Sequence, residues 1–356
     1  NKDKLSVFVG YCEVRMLKRK MMASLRDWKE SSDTRAFLLS GARQTGKTFV
    51  VREFAKTQYR NVIEVDFIAD KDAGAFLAAA SSPRDLVSRL TLLSGTEVVP
   101  HETLVFFDEV QKGQEIVTLT KYLVEDGRFD IVLSGSLLGV ELENIRSLPV
   151  GYLATERMHP LDFEEFCWAN AMPDDILAQI ASCYELKVPV EQTLHERLTE
   201  LFRLYMVIGG MPQAVQRYID SAYDLGAVRA VQASVIELYR DDISKYAKER
   251  SLRIKAIFDQ LPSQLAKVNK RFHMNAIRNK AEYGDYEDDF YWLINAGVTL
   301  PAYLTAEPRF PLERTQREDR FKLYSSDVGL LMQQYPRGVA MDVMSAARSV
   351  NFGAVY

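Results

Sequence analysis

Apolar residues in the first half of this chain gather in short unbroken runs. Ala36-Phe-Leu-Leu-Ser40, Val62-Ile-Glu-Val-Asp-Phe67, Thr103-Leu-Val-Phe-Phe107 and Asp130-Ile-Val-Leu-Ser134 have the length and composition of strands buried on both faces. Between them lie segments with helical spacing, among them 49–55, 83–94 and 114–125. This alternation predicts an α/β core over residues 16–160, a parallel sheet flanked by helices. Ahead of the first strand, Leu17, Met21, Leu25 and Trp28 recur at helical spacing and predict an amphipathic helix over Met16–Glu30.

After Pro160 the pattern changes. Residues 161–250 carry long helical stripes, including 191–207 and 225–247, and predict a helical lid. Residues 251–305 read as helix (252–259), a turn at Pro262, a second helix (263–269), a third (274–280) and two β-like runs around 290–304. That order suits a winged helix-turn-helix. Residues 1–15 precede the first methionine, Met16, and are set aside as an N-terminal extension.

The strand at 36–40 leads directly into Gly41, Ala42, Arg43, Gln44, Thr45, Gly46, Lys47 and Thr48, a full match to G-x-x-x-x-G-K-[ST]. Such a loop curls its N–H groups around an anion, and its glycines permit the dihedrals this needs. Lys47 would reach the β- and γ-phosphates of ATP. Thr48, in the first turn of the next helix, would ligate Mg²⁺ beside the helix dipole. The strand at 103–107 ends in Asp108 and Glu109, a second acidic element of the kind nucleotide hydrolysis requires. Asp108 would hold Mg²⁺ and Glu109 would activate the attacking water. Ser134 or Ser136, after the strand at 130–134, would sense the γ-phosphate or the water; a plain strand-to-helix turn at Gly135 is the alternative. Arg146 is the candidate arginine finger, reaching a neighbouring subunit's phosphate, against a solvated surface arginine.

Composition narrows the class. At 47% hydrophobic and 26% charged, the chain has enough apolar residues for packed domains and does not read as disordered. Its 3 cysteines and 4 histidines have no disulfide-like or zinc-like spacing, so a reducing cytoplasm fits. No run approaches the roughly 18 apolar residues of a membrane span, and no secretory leader is present in the residues given. The net charge of −4 hides a local excess. Lys or Arg stands at 245, 248, 250, 253, 255, 267, 270, 271, 278 and 280, against only Glu249 and Asp259 in that stretch. Region 245–280 is therefore the candidate DNA contact, with Asn275, Arg278, Asn279 and Lys280 on the helix expected in the major groove; a solvated packing module is the alternative.

Several short motifs occur in a specific order: Gly41–Thr48, Phe107-Asp-Glu-Val-Gln111, Gly135-Ser-Leu-Leu138, Leu148-Pro-Val-Gly151, Pro160-Leu-Asp-Phe-Glu-Glu-Phe166, Gly209-Gly-Met-Pro212, Tyr239-Arg-Asp-Asp-Ile243 and Asp327-Val-Gly-Leu-Leu331. Together they resemble the AAA_14 ATPases that carry a DUF4143 region. The resemblance implies an AAA+-like or STAND-like P-loop ATPase using ATP and Mg²⁺, with a lid, a winged helix and, over 306–356, the start of a nuclease-like region. With that region cut short, no nuclease activity is expected of the residues given. Two function classes stay open: a DNA-associated ATPase, or a regulatory switch acting on a protein partner without nucleic acid. Homo-oligomer formation would accompany a finger acting in trans.

Overall fold

A computed structural model of the chain describes residues 16–31, 33–136 and 151–345. Its centre is a five-stranded sheet of β1 (Ala36–Ser40), β2 (Asn61–Asp66), β3 (Thr103–Asp108), β4 (Asp130–Gly135) and β5 (Leu153–Arg157), ordered β2-β3-β4-β1-β5 with every pair parallel. Alternate side chains leave opposite faces. Leu38, Ile63, Val105, Phe107 and Leu133 meet the helices 73–78, 83–94 and 114–126, while Phe37, Leu39, Leu104, Phe106 and Val132 meet the helices 21–30 and 47–58. Because both faces are covered, these strands read as continuous apolar runs. Each large side chain buried this way contributes about 1.5–3 kcal/mol.

The sequence reading misses β5. Among the described residues it pairs only with β1, and it lies half-buried at the sheet edge, so its Leu153-Ala-Thr-Glu-Arg157 carries no apolar run to detect. The expected helix over Met16–Glu30 begins at Met21 instead, and residues 16–19 are irregular. There Arg19 is buried and pairs with Glu165 at 3.1 Å.

Beyond the sheet, helices span 163–169, 174–186, 192–208, 212–220 and 225–246. The first is closed by a capping box, in which Asp162 accepts from Glu165 N at 2.9 Å and Glu165 accepts from Asp162 N at 3.1 Å. The expected turn at Pro262 is absent: Ser251–Leu265 is one helix. Burial of Leu261, Gln264 and Leu265 holds its last turn despite the missing proline N–H. The expected helix 274–280 is reduced to a single 3₁₀ turn, Met274–Ala276. The first of the two β-like runs lies in a helix, Glu287–Asn295, and only Thr299–Thr305 is a strand, which pairs antiparallel with Gln316–Ser325. The boundary expected at 305/306 therefore falls inside a hairpin. Phe272, Tyr283, Phe290 and Phe321 stack at its base, with centroids 5.0–6.1 Å apart.

Gly210 and Asp327 tie this C-terminal body to the rest of the chain. Gly210 passes so close to Leu161 that a Cβ would stand 1.9 Å from the Leu161 carbonyl oxygen. Its N–H donates to buried Asp327 at 2.6 Å, and the same carboxylate caps the helix Val328–Gln333 through Leu330 N at 2.8 Å. Asp327→Ala would strand both buried donors, each at about 1–3 kcal/mol. We expect the denaturant midpoint to fall by an amount equivalent to about 2–5 kcal/mol, checked by urea unfolding.

Candidate functional site

Strand β1 sits between β4 and β5, whereas the chain leaves it for β2 at the far edge of the sheet. Such a reversal of strand order opens a crevice at the carboxyl ends of the strands, where ligands of α/β sheets bind. The loop 41–46 stands there. Gly41 (φ 147°) and Gly46 (φ 94°) both adopt positive φ, and a Cβ on Gly41 would lie 2.3 Å from the Met158 carbonyl oxygen. The helix Lys47–Gln58 begins directly after the loop.

The loop's carbonyl oxygens are met by donors from several parts of the chain. Lys47 Nζ donates to Gly41 O (3.0 Å) and Ala42 O (2.8 Å), and Thr45 Oγ1 donates to Ala42 O (3.0 Å). Arg19 donates to Thr45 O at 2.8 Å and to His159 O at 2.6 Å. Tyr239 Oη donates to Arg43 O at 3.4 Å. The guanidinium of Arg43 pairs with Asp242, on the helix Leu225–Tyr246, at 2.9 Å.

Asp108 and Glu109 arrive at the end of β3. Thr48 Oγ1 donates to Asp108 Oδ2 at 2.7 Å, while Oδ1 accepts from Ser134 Oγ and from Glu109 N at 3.0 Å. Burial raises the Asp108 carboxyl above the ordinary range, opposed by the bonds from Ser134 and Thr48. Glu109 adopts left-handed backbone geometry (φ 55°), which costs a residue with a Cβ about 1–2 kcal/mol. Its Oε2 accepts from Gln111 Nε2 and from Ser136 Oγ at 3.1 Å. The two serines thus divide between the two carboxylates, Ser134 on Asp108 and Ser136 on Glu109. Position explains this, because β4 lies between β1 and β3.

The structure brings together residues 41–48, Asp108, Glu109, Ser134 and Ser136; Arg146 lies outside the described residues. The sequence reading gives no role to Arg19, Gln111 or Asp242. Gln111 and Asp242 stand in the quoted motifs, but only their burial marks them as partners of the site. Thr48 and Asp108 present oxygen donors to one point, as a hard cation such as Mg²⁺ requires. Among the described residues, no group of three His, Cys, Asp or Glu side chains could hold a metal alone.

An open cleft of about 830 Å³ lies over the loop. Lys47, Thr48 and Glu109 line its polar part, and Leu17, Phe49 and Pro212 part of its apolar wall. Pro212 Cγ comes within 3.6 Å of the Cβ position of Gly46. Among the described residues no helix is long and apolar enough to cross a membrane.

Compared with known families, residues 33–167 match the AAA_14 model, described as an AAA domain, and residues 199–338 match DUF8612, a domain of unknown function. The C-terminal match is thus to DUF8612 and not to DUF4143. Among solved structures, the chain is similar to the Walker-type ATPase Paby2304 of Pyrococcus abyssi, with 15% identity, TM-score 0.52, and coverage of 90% of this chain and 96% of that one. It also aligns with the Aeropyrum pernix ORC1 protein in complex with DNA, at 15% identity and TM-score 0.32, covering 94% of each. No curated protein matches.

The ammonium of Lys47 is buried beside the two acids. Burial lowers its pKa to about 8, against the opposing pull of Glu109 and Asp108. A bound phosphate would favour the charged form, so nucleotide affinity should be full below pH 7 and fall as pH rises through about 8. Calorimetric titration with ADP across this range should show that fall in the wild type. Lys47→Ala should bind about tenfold more weakly and with a flat profile.

Proposed function

We propose that this AAA-type P-loop ATPase binds ATP with Mg²⁺ in the cleft over residues 41–48, hydrolyses it, and uses the nucleotide state to govern how its C-terminal body is held. The convergence of Lys47, Thr48, Asp108 and Glu109 beyond the carboxyl ends of β1 and β3, the two strands that flank β4, carries the reading. The loop N–H groups and Lys47 would bind the phosphates, and the apolar wall with Pro212 suits a flat nucleobase. Thr48 and Asp108 would hold Mg²⁺, which would neutralise developing phosphate charge. Glu109 would orient water and take its proton, with Gln111 and Ser136 fixing the carboxylate that does so.

The contacts between the loop and the C-terminal body support the control. We read 161–250 as the lid. Its helix 225–246 reaches Arg43 through Tyr239 and Asp242, and beyond it Gly297 approaches Ala42 N, its Cβ position 3.0 Å away. A protein-directed switch needs no more than this coupling. DNA association is the second reading. It rests on exposed Arg278, Asn279 and Lys280, which follow the turn bearing Asn275. The basic surface is smaller than the sequence suggests. Arg250 pairs with Asp288 and Asp289 at 3.1 and 2.9 Å, and Arg253 pairs with Asp289 at 2.7 Å. These two acids, with Glu287, open the helix beside the hairpin, so the arginines they pair with are less available to phosphate.

Two measurements check the proposal. Glu109→Gln should retain ATP while phosphate release falls by about 10² or more, and equal release from both proteins would remove Glu109 from catalysis. Duplex binding, if present, should be salt-sensitive and weakened by Arg278→Ala with Lys280→Ala. Binding unaffected by either salt or substitution would leave the switch reading alone.

A further inference from the structure

Arg43 occupies the phosphate loop, two residues after Gly41 and four before Lys47, the lysine that in such loops reaches the β- and γ-phosphates. Its side chain does not run out to solvent. It lines the cleft with Lys47 and Glu109 and reaches Asp242, whose side chain is 7% exposed, at 2.9 Å. Arg43 and Lys47 are close enough that the guanidinium depresses the lysine, and Glu109 in turn raises Asp242. Arg43, Lys47 and Glu109 therefore line one cleft, with Asp242 paired to Arg43 and Asp108 close enough to act on Lys47.

Resting on the ATP-site reading above, we propose that Arg43 is an in-chain cation for the terminal phosphate of a nucleoside triphosphate, and that Asp242 holds it until that phosphate arrives. A dianionic terminal phosphate offers the planar guanidinium more charge and more acceptor oxygens than one carboxylate. Burial also works against the charged form of Asp242. Burial lifts its carboxyl to about 6 despite Arg43 beside it and Lys245 one turn on, with Asp241 and Glu109 pushing the same way. Transfer of Arg43 from Asp242 to the phosphate would release one tie between the loop and the helix 225–246. ADP, lacking that phosphate, would leave the tie in place. The lid would then read triphosphate against diphosphate through a single shared cation, with Asp242 acting as a positioning residue that never touches the nucleotide.

The test compares the affinities of a non-hydrolysable ATP analogue and of ADP, both with Mg²⁺, in the full chain. In Arg43→Ala the ATP-analogue to ADP affinity ratio should fall about tenfold. In isosteric Asp242→Asn it should rise several-fold, because the guanidinium is already free, and the double variant should behave as Arg43→Ala alone. Hydrogen exchange supplies a second readout that does not depend on the variants folding. In the wild type, amides 239–246 should exchange faster with the ATP analogue than with ADP. Unchanged ratios in the variants, or identical exchange with the two nucleotides, overturn the Arg43 assignment while leaving the ATP site standing. A wild-type chain that binds neither nucleotide overturns both.

Discussion

A phosphate-binding loop has to present its N–H groups to a ligand, and its carbonyl oxygens must then find donors within the protein. Much else in this chain is organised around that requirement. Arg19 comes from the irregular segment before the first helix, Lys47 and Thr45 from the loop itself, and Tyr239 from a helix nearly two hundred residues on. Arg19 is itself held by Glu165, which also closes the capping box of the helix 163–169. The first residues of the domain, the loop and the first helix beyond the sheet are therefore one bonded unit. Removing any member would leave a buried polar group without its partner, which costs more than the bond contributes when made.

The same economy governs the acidic end of the site. Asp108 and Glu109 are adjacent in sequence but have different hydrogen-bond partners. Asp108 is buried between Thr48 and Ser134, while Glu109 is half-buried against Gln111 and Ser136. One carboxylate is placed beside the Thr48 hydroxyl, and the other is held by Gln111 and Ser136. The strand order makes the division possible: β4 lies between the strand that ends in the loop and the strand that ends in the acids, so its terminal serines reach both.

The C-terminal region shows how tertiary context reassigns charge and shape. Ten basic residues between 245 and 280 suggest a broad cationic face, yet the acids that neutralise part of it, Asp288 and Asp289, lie just beyond that window. Pro262 looks like a break, yet the helix runs through it because the residues around it are buried. The stretch near 290 has strand-like residues, Phe290, Tyr291 and Trp292, but folds as a helix whose buried face joins the aromatic group at the base of the hairpin.

By itself the sequence determined the strands β1 to β4, the loop 41–48 and the acidic pair after β3. These features depend on local pattern: buried parallel strands are apolar throughout, and a glycine loop before a helix has one efficient use. Only the tertiary structure decided the edge strand β5, the partition of Ser134 and Ser136, the buried Arg19–Glu165 pair, and the meeting of Arg43 with Asp242. Each of these joins residues distant along the chain. What sets them is strand order and helix placement, which no window of sequence contains, together with the cost of leaving a buried charge or carbonyl unpaired.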